Sequence, residues 1–213
     1  MSSGGTAGPG RSTALAAVVL AATLLMQGCA MDASDEDPSE TTHDLLTVTR
    51  HLVSELDDLH DAHAPDGPLV ERVVRGPSSC IDPPDPDRFE ASVAVAVLLP
   101  EDADLDAVLE QTLRRWDGQG LHTELQDEDE QLPRVAARDP ERGISYAAEI
   151  QRELALLTLL GRTSCRALPD GYDHVVELRE EFRELVDPDG LSVEPDLDRP
   201  LAEVVAELRE RDR

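Results

Sequence analysis

Two histidines and their acidic neighbours are the residues whose types and spacing come nearest to a metal site. On a helix, His60 and His63 lie one turn apart, and Asp57 joins the same face three residues before His60. Imidazole and carboxylate groups can hold Zn²⁺. The solvated end of an amphipathic helix explains the same pattern, since histidine also suits the helix dipole there. We expect no metal here and predict that both histidines lie opposite Leu52, Leu56 and Leu59.

The other candidate motifs favour structural roles. The stretch 187–192 contains aspartates and a glycine, but its spacing does not fit an EF-hand calcium loop, and it predicts a turn. Ser145 lacks the flanking residues of a nucleophile elbow, so we expect an outward strand residue. Trp116 and Tyr146 could line a ligand pocket, but core packing is the stronger interpretation. The chain has no phosphate-binding or dinucleotide motif. We therefore predict no catalytic residue and no cofactor.

The first 29 residues carry the most specific signal in the chain. An uncharged apolar run, residues 14–26, follows the single cation Arg11. It is shorter than the roughly 20 residues of a membrane span and suits the core of a signal peptide. The run ends in Leu25-Met26-Gln27-Gly28-Cys29, which resembles the lipobox of bacterial lipoproteins. The resemblance implies that Cys29 receives a diacylglyceryl group and becomes the first mature residue. An uncleaved anchor and an ordinary secretory cleavage are the alternatives.

This resemblance divides the chain into four parts. We predict a signal peptide (1–28), an acidic tether (29–41), an α+β domain (42–168) and a charged C-terminal helical extension (169–213). Two acyl chains anchor a protein stably, whereas one gives marginal binding. The tether is polar and acidic, which is typical of disorder, and it would reach at most about 40 Å. The expected location is the extracytoplasmic face of the cell membrane.

The charge balance limits the classes of partner. The formal net charge is −27, which argues against nucleic acid and against electrostatic attachment to an anionic membrane. Every cation is an arginine, a bias typical of a GC-rich genome. The layout over about residues 11–166 resembles small uncharacterised actinobacterial lipoproteins, which implies a location and no activity. We expect a membrane contact through the lipid, and an envelope protein is the further candidate partner.

Two cysteines remain once Cys29 is lipidated. In an oxidising compartment Cys80 and Cys165 are best interpreted as one disulfide. Two free buried thiols or a redox pair are the alternatives. A redox role is disfavoured because the chain has no C-x-x-C motif.

Hydrophobic periodicity predicts an α+β fold: a small, mostly antiparallel sheet with helices packed on one face, plus the C-terminal helical extension. The predicted elements are a helix (42–63), a loop (76–88), a strand (91–99), a helix (105–116), strands (121–126 and 132–138) and C-terminal helices (172–186 and about 201–208). Residues 144–160 predict a hairpin of 144–150 and 154–160, with a single helix as the competitor.

We therefore predict a membrane-anchored, non-catalytic binding or interaction module of unknown ligand. The alternative is a metal-binding lipoprotein or a metal-dependent enzyme that uses His60 and His63.

Overall fold

The computed structural model describes residues 44–81, 84–126, 132–168, 182 and 199–211, with no account of the side chains of 81–87. The predicted signal peptide, the tether with Cys29, the acidic turn at 127–130 and the aspartate-rich turn at 187–192 lie outside these residues. So does the predicted helix over 172–186, except for Phe182.

Three helices are present in the described part, and each begins where the sequence supplies a cap or a proline. Asp44 caps α1 (Leu45–His63) by accepting a hydrogen bond from the Thr47 backbone nitrogen at 2.9 Å. Asp104 caps α2 (Leu105–Gly118) in the same way through Ala107. The third helix, α3 (Leu201–Arg211), starts directly after Pro200. The predicted helices starting near residues 42, 105 and 201 are confirmed.

The strands form one antiparallel sheet. They are β1 (Leu69–Ile81), β2 (Pro84–Leu98), β3 (His122–Gln126), β4 (Arg134–Asp139), β5 (Ile144–Gln151), β6 (Leu156–Thr163) and β7 (Arg166–Ala167). In the described part the strand order is β1-β2-β6-β5-β4-β3, and the short β7 pairs with β2. The predicted α+β class with a mostly antiparallel sheet is confirmed.

Residues 144–160 form the predicted hairpin rather than a single helix. Strand β5 pairs with β6 in continuous register, from Ile144 opposite Thr163 to Gln151 opposite Leu156. A single 3-10 turn, Arg152–Leu154, joins them, and Ala155 closes it in the left-handed region at φ 43°. The alternation of buried side chains on β5 therefore outweighed the helical propensity of its alanines and glutamates.

The prediction of a loop over 76–88 is wrong, because the described residues of this stretch, 76–81 and 84–88, belong to β1 and β2. Strand β1 lies at the edge of the sheet, where proline and glycine are tolerated at bulges. The register shifts between Arg75 and Ser78, next to Gly76 at φ +129° and Pro77. The turn residues that predicted a loop instead mark an irregular edge strand.

The two faces of the sheet are covered by different helices. Helices α1 and α2 cover the face that carries Val95, Val135 and Leu159, and these residues form the main core. An added Cβ at Gly161 would lie 2.0 Å from Leu52 Cδ1, so this glycine lets α1 approach β6 closely. Helix α3 packs on the opposite face, where Val205 joins the cluster of Ala96, Leu98 and Leu156. The predicted one-sided packing holds for α1 and α2, while α3 of the extension covers the other side.

Candidate functional site

The structure brings the two predicted disulfide cysteines together. Cys80 lies near the end of β1, and Cys165 lies in the short connection between β6 and β7. Their Sγ atoms are 2.18 Å apart and their Cα atoms 6.0 Å apart, which is the separation of a disulfide. Strand β2 pairs with β1 on one side and with β6 and β7 on the other, so the bridge joins β1 to the β6–β7 connection across β2. The disulfide therefore ties the edge strand β1 to the interior of the sheet.

Charged side chains surround the cysteine pair and are engaged with one another. The Glu90 carboxylate accepts two hydrogen bonds from Arg162, at 3.0 Å from Nε and 2.6 Å from Nη2. The Arg88 guanidinium donates to the Cys165 carbonyl at 2.8 Å. The ligand atoms of Cys80, Glu90 and Cys165 all lie within 4.8 Å of one another. A metal would need both thiolates, and the two sulfurs here are within bonding distance of each other.

The prediction that His63 lies on the exposed face is wrong. His63 Nε2 lies 2.9 Å from Thr112 Oγ1, so the ring occupies the contact between α1 and α2. The Thr112 hydroxyl donates its only proton to the Val108 carbonyl, 3.0 Å away. The same hydroxyl oxygen therefore accepts a hydrogen bond from His63 Nε2–H. The helical spacing of the sequence agrees with this position of His63, because residue 63 comes four residues after Leu59 on the buried side of the helix.

His60 is also less exposed than predicted. Its side chain is 15% exposed, and its Nδ1 lies 3.4 Å from an Asp61 carboxylate oxygen. Its supposed zinc-binding neighbour Asp57 instead pairs with Arg72 on β1 at 2.7 Å. The three-ligand clusters of the described residues do not include His60 or His63. Asp57 and His63 therefore contact residues of other elements of the fold, and His60 lies beside Asp61.

Changing His63 should alter the pH dependence of stability. Burial first, and then Arg115, lower the pKa of His63 below its ordinary value of 6.5. The unfolded chain then binds more protons between the lowered pKa and 6.5, so stability is complete above that window and falls as the pH drops through it. His63→Gln should reduce this loss. Urea unfolding of the full chain at pH 8 to 5 measures the effect.

The matched control is His122→Gln, which removes an exposed histidine from β3. It should leave the wild-type slope of unfolding free energy against pH nearly unchanged. Identical slopes for wild type and His63→Gln would contradict the placement of His63 between the helices.

Trp116 and Tyr146 pack in the core, as predicted. Their ring centroids are 5.7 Å apart, and their exposed fractions are 0% and 2%. Burial raises the pKa of Tyr146 well above its ordinary range, and Asp139 and Glu55 add to the effect. Ser145, on the opposite face of β5, is half-buried and pairs in register with Arg138 and Arg162. None of these side chains forms a nucleophile with a neighbouring base.

Sequence analysis missed a buried charge pair on the sheet face opposite α1 and α2. Glu149 and Arg134 are opposite each other in register, and their charged atoms are 3.8 Å apart. Burial raises the pKa of Glu149, although Arg134 opposes this shift. The alternation of β5 could have placed Glu149 on this face, but its partner lies on β4, a weaker strand in the sequence. The pair links β4 to β5 on this face, where Thr158 of β6 is the residue opposite Glu149.

A groove of about 370 Å³ lies between α3 and the turn that follows β5. Two arginines line it, and one of them, Arg209, donates a hydrogen bond to the Leu154 carbonyl at 2.9 Å and lies 3.5 Å from Glu101. Arg209 thus attaches α3 to the turn between β5 and β6.

No known protein family, curated protein or solved structure matches this chain. Across the described ranges between residues 44 and 211, no helix is long and apolar enough to cross a membrane.

Proposed function

We propose that this chain is an extracytoplasmic lipoprotein, anchored by lipid at Cys29, whose folded domain is a non-catalytic binding module. One observation carries the anchor: the sequence Leu25-Met26-Gln27-Gly28-Cys29 ends an uncharged apolar run. A cysteine at that position is the acceptor that a lipid-attaching enzyme requires. Two acyl chains would then hold the protein at the membrane surface.

The paired cysteines support an oxidising location. Cys80 and Cys165 are within disulfide distance, and structural disulfides persist in secreted and envelope proteins but are rare in the cytosol. The net charge of −27 leaves little electrostatic attraction to an anionic membrane, so the proposed lipid supplies the attachment. The contacts of Asp57 with Arg72 and of His63 with Thr112 support a binding module over the metal-dependent alternative.

Cys29→Ser should release the protein from the membrane fraction, because serine cannot form the thioether to the lipid. The wild-type chain, expressed in a bacterium, should sediment with membranes after a high-salt wash. The variant should become soluble or remain as the uncleaved precursor. Ala30→Ser is the matched control, since it introduces the same side chain one residue away and leaves Cys29 in place.

The control should fractionate like the wild type. Unchanged membrane partition and normal cleavage of Cys29→Ser would overturn the proposed anchor. The proposed lack of a metal is tested separately by metal analysis of the purified protein. Stoichiometric zinc that is lost on changing both His60 and His63 to alanine would replace the binding module with the metal-dependent alternative.

A further inference from the structure

The two edges of the sheet differ in how open they are to another strand. Edge strand β1 contains Pro77 and shifts register at three places, and Cys80 bridges it to Cys165. Bulges and prolines of this kind oppose the addition of a further strand. Strand β3, at the other edge, pairs with β4 from His122 to Gln126 without a shift and contains no proline. Within the described residues β3 has no second neighbouring strand.

An apolar side chain continues the core face out to this open edge. Leu125 is the one large hydrophobic residue exposed among the described residues, at 54%. Its partner in register, Val135, is completely buried beneath the helices. Because side chains alternate along a strand, Thr123 shares the face of Leu125, while His122, Glu124 and Gln126 point to the other face. An added strand would extend both faces, one apolar and one polar.

The negative charge of the chain indicates which kind of strand could pair with β3. The strand exposes Glu124 at its centre, and the sequence continues directly into Asp127-Glu128-Asp129-Glu130. A symmetric pairing of two β3 strands would set Glu124 against Glu124 on two chains of net charge −27. Like charges directly opposite one another destabilise a strand pair. A basic segment gains from the same charges, so charge complementarity favours it over a second copy of this chain.

We propose that β3 is a docking edge for a basic, extended segment of a partner protein, which adds to the sheet as a further strand. Main-chain hydrogen bonds would supply affinity, and alternate side chains would supply specificity. The alternation of β3 requires a segment in which apolar residues cover Leu125 and basic residues face Glu124. This inference deepens the proposed binding function and rests on it, but it does not depend on the lipid at Cys29.

The test measures the binding of a synthetic peptide to the full chain in detergent. The probe is a fluorescein-labelled peptide of alternating lysine and valine, and the readout is fluorescence anisotropy. We expect saturable binding, and none by the same peptide with alternate backbone amides N-methylated, because it cannot form the strand ladder. Leu125→Lys should weaken binding about tenfold through lost apolar burial and added charge.

Ser79→Lys is the matched control, since it adds the same charge to an exposed position on the opposite edge. It should change the dissociation constant less than about twofold, the result expected of a screened, distant charge. Circular dichroism would establish that both variants fold.

Three outcomes would overturn the proposal. They are equal weakening by both variants, undiminished binding of the N-methylated peptide, and concentration-dependent dimerisation that Leu125→Lys abolishes. The first indicates non-specific charge attraction, and the last assigns the edge to a second copy. Since Cys29→Ser fractionation does not involve β3, failure of the anchor and failure of this edge are distinguishable.

Discussion

Trp116→Ala should lower the free energy of unfolding by about 3–5 kcal/mol, the usual cost of truncating a large buried aromatic side chain. The indole is completely buried in the core between α2 and the sheet, and its ring lies 5.7 Å from that of Tyr146. Domains of this size are stable by only about 5–15 kcal/mol, so the change would remove much of the total. Equilibrium urea unfolding of the full chain measures it.

Trp116→Phe is the matched control. It keeps an aromatic ring against Tyr146 and removes the indole Nε1, a buried donor with no hydrogen-bond partner among the described residues. We expect it to cost less than about 2 kcal/mol, since it loses packing volume but no hydrogen bond. If Phe and Ala were equally costly, the account of Trp116 as a purely apolar core residue would be contradicted.

Removing the Cys80–Cys165 pair should cost about 2–5 kcal/mol. The two cysteines are 85 residues apart in sequence, so a bond between them closes a long loop in the unfolded chain. Alanine at both positions restores the conformational freedom of that loop after unfolding, while it keeps a small apolar side chain at the buried Cys80. Urea unfolding of this double variant and of the wild type, each without reductant, gives the difference.

Reduced wild-type protein is the internal control, because it should approach the stability of the double variant. Non-reducing peptide mapping of the native protein should find Cys80 and Cys165 in one cross-linked species. Recovery of both as alkylated thiols, or equal stability of oxidised and reduced protein, would contradict the disulfide.

The sheet could be predicted where one strand face is consistently apolar. The alternation of Ile144, Tyr146, Ala148 and Ile150 correctly indicated a strand, and these residues all lie in the core. Strand β1 was missed because its Gly76-Pro77 pair is typical of loops. Only its position at the sheet edge, a property of the whole fold, makes those residues compatible with a strand.

The error at His63 has a different origin. Helical spacing places residue 63 on the stripe of Leu56 and Leu59, but residue type suggested a solvated position. The competing observation is Thr112, whose hydroxyl on α2 provides the polar partner. The two residues are 49 positions apart in the sequence and lie on different helices, so neither segment alone predicts their contact. The same limit applies to Glu149, whose partner Arg134 is on another strand.

Mass spectrometry of the N-terminal peptide would show whether Cys29 carries lipid. The full chain would be expressed in a bacterium, extracted from washed membranes with detergent and digested. We expect the mature protein to begin at Cys29 and this peptide to carry the additional mass of a diacylglyceryl group. An unmodified Cys29, or a mature N-terminus at another residue, would contradict it.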